Sequence, residues 1–239
     1  MFNALSDLTD KLLGFIMWPL AFVVIYYYPD IFSLFTSSAG SYIKNVSPIH
    51  LAGAIFFITY RFNFLPFLKF PTVYNSKGKF SWGQRLDTFE HELVHWIFSV
   101  LTFKFGSYIE LLKEPSEKGH AGYCYISRGG NWLITIGPYF LPTFTIVLCL
   151  LYLIPYKPIH PFLDFALGYS ISFHILQNIV DVLNNWSVDV KDSYTDLTTL
   201  TAPYPNQTFW SVFRSRVFAI IMIPALNLIT FSYIFKIIQ

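Results

Sequence analysis

Residues 89–103 read FEHELVHWIFSVLTF, with four ionisable side chains at the head of a run that is otherwise apolar. On an α-helix, His91 and His95 stand one turn apart and about 40° apart around the axis, so both imidazoles can reach a single ion. Glu92 lies next to them. Glu90 points about 100° away from His91 on the other side and reads as a helix-start or interfacial carboxylate. The pattern is HExxH: two neutral imidazoles hold Zn²⁺, and the glutamate is the general base for a zinc-activated water. With six histidines and five glutamates in 239 residues, an accidental HExxH is expected in roughly 0.003 of such chains, a frequency low enough to take the motif as functional.

The surroundings of the motif are those of a membrane protein. Hydrophobic residues make up 54% of the chain, aromatic residues 20% and charged residues only 13%, with a mean hydropathy of +0.47, far from the balance of a water-soluble domain. A net charge of +2 offers no surface for nucleic acid, and Cys124 and Cys149 stand too far apart for a thiolate metal site. An ionisable group deep in a bilayer costs roughly 2.5–3.5 kcal/mol on insertion, so clustered ones persist only with a partner or a purpose. A metal ion is one such purpose. A proton relay in a proton-coupled transporter or channel is the alternative.

Spanning a bilayer takes roughly 20 apolar residues as a helix, and several stretches approach this. Residues 12–28 end in three tyrosines, followed by Pro29-Asp30, which reads as an interfacial anchor and a helix stop. Residues 49–68 form a weaker segment containing Arg61, and the motif segment covers 88–105. Residues 106–126 contain alternating tyrosines and a turn-rich middle, the signature of a β-hairpin. Residues 132–154 follow, broken at Gly137-Pro138 and Pro142, with Asn131 as the helix N-cap. Residues 162–183 and 209–238 are the last long segments, separated by a polar, acidic loop. The expected fold is an all-α polytopic membrane protein of about five to six transmembrane helices, with a small β-hairpin inserted after the HExxH helix.

A zinc site of this type needs a third protein ligand and an open fourth position. Residues 162–183 carry His174, Asn178 and Asp181 on one face of an apolar helix, the last two one and two turns beyond the first. His174 is the leading candidate for the third ligand, ahead of Asp181 and of Asp196 in the acidic loop. Residues left out of the first shell would orient a ligand imidazole. Asn178 is a candidate oxyanion donor, and His120 in the hairpin a candidate substrate contact.

Taken together, HExxH at the head of an apolar helix, the GH-containing hairpin, the GNWLITIGPYFLPT segment and the polar-striped helix leading to an acidic TDL loop resemble the site-2 protease family of intramembrane zinc metalloproteases, in its divergent bacterial branch. The resemblance covers residues 86–200. It implies His91 and His95 as metal ligands, Glu92 as the base, and the hairpin as an edge that receives substrate as an added strand. It also implies an N-terminal region of membrane segments over 1–85, a metalloprotease core over 86–200 and a final transmembrane helix over 201–239. The substrate would be a transmembrane or membrane-associated protein, the setting membrane lipid, and the location the bacterial cytoplasmic membrane. The chain departs from better-known members in lacking the LDG or PDG motif whose aspartate supplies their third ligand.

Overall fold

The computed structural model of the chain describes residues 2–61, 82–111, 122–127, 130–184 and 209–238. Its helices are α1 (Phe2–Asn45), α2 (Pro48–Arg61), α3 (Trp82–Leu101), α4 (Trp132–Ile136), α5 (Thr143–Tyr152), α6 (His160–Asn184) and α7 (Phe209–Ile237). Strands β1 (Tyr108–Leu111) and β2 (Gly122–Tyr125) form an antiparallel pair between α3 and α4, with Tyr108 opposite Tyr125 and Ile109 opposite Cys124. The hairpin is where the alternating tyrosines placed it; its tip, including His120, lies outside the described residues.

The first helix departs from expectation. α1 is continuous through Pro19 and Pro29 and does not stop at Pro29-Asp30. A proline removes one N–H bond from a helix, but leaving the helix inside a membrane would strand many backbone groups, so continuing through is the lesser cost. At 1.5 Å per residue α1 is roughly 66 Å long, about twice the hydrocarbon thickness.

Among the described residues, two helices are long and apolar enough to cross a membrane, α1 and the Val217–Ile237 part of α7; the bent pair α4–α5 makes a third if it is one span. This fits a membrane protein with fewer spans than the five to six expected. The physical reasons are local. The apolar part of α2 covers only Pro48–Thr59, α3 holds Arg85, Asp87, Glu90 and Glu92 among its first eleven residues, and α6 carries the polar stripe. The broken segment behaves as expected: α4 runs on into a 3₁₀ turn at Gly137–Tyr139, this arm meets α5 at 67°, and Asn131 caps α4 by accepting from the Ile134 N–H at 3.1 Å.

Lipid tails are as apolar as leucine, so helices in a membrane associate through close packing and hydrogen bonds. Gly53 of α2 and Gly168 of α6 show the first. A Cβ on Gly53 would collide with the Phe165 carbonyl, and one on Gly168 with the His50 carbonyl, so the two backbones touch through reciprocal glycines. One core cluster joins α1, α3, α4 and α7 through Ala21, Val94, Ile134, Phe218 and Met222, all nearly inaccessible. A second joins α5, α6 and α7 around Cys149, Leu167 and Phe231.

Hydrogen bonds anchor the N-terminal part of α1 beneath the motif helix. The fully buried Lys104, just past the end of α3, pairs with Asp10 at 2.6 Å. Asp10 also accepts from the Asn131 side chain at 2.9 Å, and the Trp132 indole donates to the Leu13 carbonyl at 2.8 Å. α3 terminates in a Schellman turn in which the Lys104 N–H reaches the Ser99 carbonyl and the Phe103 N–H the Val100 carbonyl. Phe103 has φ 64° at the position glycine usually takes.

Candidate metal site

α3 presents His91 and His95 on one side, their ring centroids 4.9 Å apart. The spacing of the motif is therefore realised as adjacent imidazoles. His95 Nδ1 lies 2.8 Å from the Ile134 carbonyl oxygen of α4. A carbonyl can only accept, so Nδ1 carries the proton and the Nε2 lone pair is the one available to a metal. The His91 ring stands edge-on to Tyr139, with centroids 5.8 Å apart.

The broken segment docks antiparallel on α3. Proceeding up α3, Glu90 meets Phe144, His91 meets Tyr139, and His95 meets Ile134. Gly137 lets the backbone approach: a Cβ there would strike the Phe98 ring and come within 3.2 Å of Val94. Only a residue without a side chain permits this approach of the two helices.

Glu90 differs from its sequence reading. It is the ninth residue of α3, not a residue of its first turn, and it is 6% exposed. Its Oε1 accepts from the Phe144 N–H at 3.1 Å, and the Thr143 N–H also bonds to the carboxylate. Glu90 thus caps α5, whose own N-cap residue, Pro142, supplies no side-chain hydrogen bond. This partnership spans 54 residues, and no local pattern marks it.

The hairpin runs beside the motif. Gly122 sits against Thr88, where an added Cβ would be 3.0 Å from the Thr88 methyl, and the Trp96 indole donates to the Ser107 carbonyl at 3.1 Å. Cys124 lies within electrostatic reach of Glu92; burial, and then that negative charge, push its thiol up to about 12. The other face of the hairpin points outward, with Tyr108 and Tyr125 stacked at 5.2 Å and the Tyr123 hydroxyl donating to Glu110 at 2.5 Å.

His174 is buried in a different set of contacts. The Asn178 side-chain amide donates to His174 Nε2 at 2.8 Å and to the Tyr139 carbonyl at 3.0 Å. Asn227 of α7 donates to that same carbonyl at 2.6 Å and is a further partner of His174. Tyr139 therefore connects the histidine pair to the surroundings of His174, its ring on His91 and its carbonyl on the α6–α7 network. Asn178 and Asn227 also line a cavity of about 390 Å³, otherwise walled by Phe35, Ile175 and Phe231 among other apolar residues.

The donor chemistry of His95 fits zinc, since a ligating imidazole commonly donates its second N–H to a backbone carbonyl, and His91 stands beside it with its ring 4.9 Å away. Among the described residues no group of three His, Cys, Asp or Glu side chains forms a metal site. Of the third-ligand candidates, the Asp181 side chain and all of Asp196 lie outside the described residues. No family model, curated protein or solved structure matches the chain.

Proposed function

We propose that the chain is a zinc metalloendopeptidase of the site-2 protease type, an integral protein of the bacterial cytoplasmic membrane that cleaves transmembrane or membrane-associated proteins. The observation that carries this reading is the pair of adjacent imidazoles on α3, one of them fixed through Nδ1 by the Ile134 carbonyl. His91 and His95 would hold the ion, with a third ligand from His174, Asp181 or Asp196. A zinc ion bound there supplies Lewis acidity, lowering the pKa of a water to about 7.

Glu92, beside the pair, accepts the proton of the attacking water and delivers it to the leaving amine. The hairpin beside Glu92 pairs with substrate. A transmembrane helix must be unwound before its peptide bond becomes accessible, and pairing along a strand edge satisfies the freed N–H and C=O groups.

The test is cleavage of a transmembrane peptide in proteoliposomes by the wild type and by Glu92→Gln. The variant is expected to lose about 10²–10⁴-fold in rate. Equal rates in the two proteins would remove Glu92 from the chemistry. Among His174→Ala, Asp181→Ala and Asp196→Ala, the variant that loses metal identifies the third ligand.

A further inference from the structure

The geometry points to Glu90 as a positioning residue: by tying the N-terminus of α5 to α3, it sets the axial register at which Ile134 and Tyr139 meet the two histidines. This rests on the metal reading of His91 and His95 but adds a residue outside HExxH. α5 begins without a cap of its own, because Pro142 offers no side-chain acceptor, and the first N–H groups of a helix have no partner within it. Glu90 supplies that partner from the motif helix itself, through Phe144 at 3.1 Å and through Thr143. A carboxylate is also the charge that a helix N-terminus favours.

The consequence follows from the antiparallel docking. The contacts of α3 with the broken segment include the Glu90 tie at residues 143–144, the Phe98 ring against Phe140, the ring of Tyr139 on His91, the approach of Gly137 to Val94 and Phe98, and the Ile134 carbonyl on His95. Ring and glycine packing of this kind tolerates small sliding. Directional hydrogen bonds stand at residues 143–144 and at residue 134 of the segment, and the one to His95 bears on a metal ligand directly. The start of α4 stays tied to α1 through Asn131 and Trp132, but release of the Glu90 end loosens the segment about its 67° bend and weakens the hold of the Ile134 carbonyl on Nδ1 of His95. Glu90 thus acts on metal binding from one residue before the motif without touching the ion.

Capping α5 and positioning α4 are separable. In Glu90→Ala both are lost. In Glu90→Ala/Pro142→Ser the new serine caps α5 locally, restoring the helix start, but the tie to α3 stays broken. The experiment measures zinc affinity of the detergent-solubilised full chain by competition with a chelator, and deuterium uptake at Thr143, Phe144 and residues 132–139 in metal-free protein. Glu90→Gln keeps an acceptor oxygen and is expected near the wild type in both. Glu90→Ala is expected to bind zinc about 10–100-fold more weakly and to exchange faster along the whole segment. The double variant is expected to recover protection at Phe144, the N–H that a serine at the N-cap reaches, while affinity stays low. Full recovery of affinity in the double variant, or unchanged affinity and exchange in Glu90→Ala, overturns the proposal. Should the wild type bind no zinc, the metalloprotease reading fails by itself. The tie is then judged by exchange over residues 132–139 in the double variant: fast exchange supports it, and wild-type protection overturns it.

Discussion

Nδ1 of His95 donates its proton to the carbonyl oxygen of Ile134, 2.8 Å away and 39 residues along the chain. The bond fixes the tautomer and aims the other ring nitrogen, as outer partners of ligating imidazoles do. In ¹⁵N-histidine-labelled protein, His95 is expected to carry its proton on Nδ1, and zinc is expected to shift the Nε2 resonance. A proton found on Nε2 would contradict the assignment of that nitrogen to the metal.

The buried pair of Lys104 and Asp10, 0% and 14% exposed, makes the N-terminal part of α1 a structural partner of the motif helix. Removing one member leaves the other charge uncompensated. Lys104→Ala and Asp10→Ala are each expected to destabilise the protein by about 3–5 kcal/mol, with the double variant costing clearly less than their sum. Unfolding in mixed detergent checks this; additive losses would show that the two charges are not coupled.

At Gly53 and Gly168 the usual helix preference is reversed. Alanine normally stabilises a helix relative to glycine by about 0.8–1.0 kcal/mol, but here each new methyl meets a carbonyl of the facing helix. Gly53→Ala and Gly168→Ala are each expected to cost about 1–3 kcal/mol. A gain in thermal stability from either would show that α2 and α6 do not approach so closely.

Cys124 reports how the hairpin lies on the motif. Its thiol is pushed up to about 12, first by burial and then by the charge of Glu92, and alkylation proceeds through the thiolate. Both causes disfavour the anion, so at pH 8 iodoacetamide is expected to react far more slowly than with an exposed thiol, and reaction should speed up only as pH rises well above 9. Glu92→Gln removes the smaller cause and should raise the rate modestly. A rate indifferent to Glu92 would place the hairpin elsewhere.

What could be read from the sequence was local. The spacing of His91 and His95 became adjacent rings because a helix turn is an invariant geometry; Gly137-Pro138 and Pro142 broke a helix, and Asn131 capped one, because their backbone preferences act within a few residues. Glu90 was misread because its partners, Thr143 and Phe144, come next to it only through tertiary docking. Pro29 was misread because its local cost is outweighed by the membrane, which penalises any exposed backbone. The stripe of His174 and Asn178 was legible as a polar face. Its partners, Tyr139 and Asn227, lie on other elements and could not be inferred from periodicity.

The central claim is that His91 and His95 hold zinc and that Glu92 does not. Metal analysis of the purified protein tests this most directly. Wild type and Glu92→Ala are expected to carry about one zinc per chain, and His91→Ala less than about a tenth of that. Wild-type protein with less than about a tenth of a zinc per chain after purification in zinc-supplemented buffer would contradict the account.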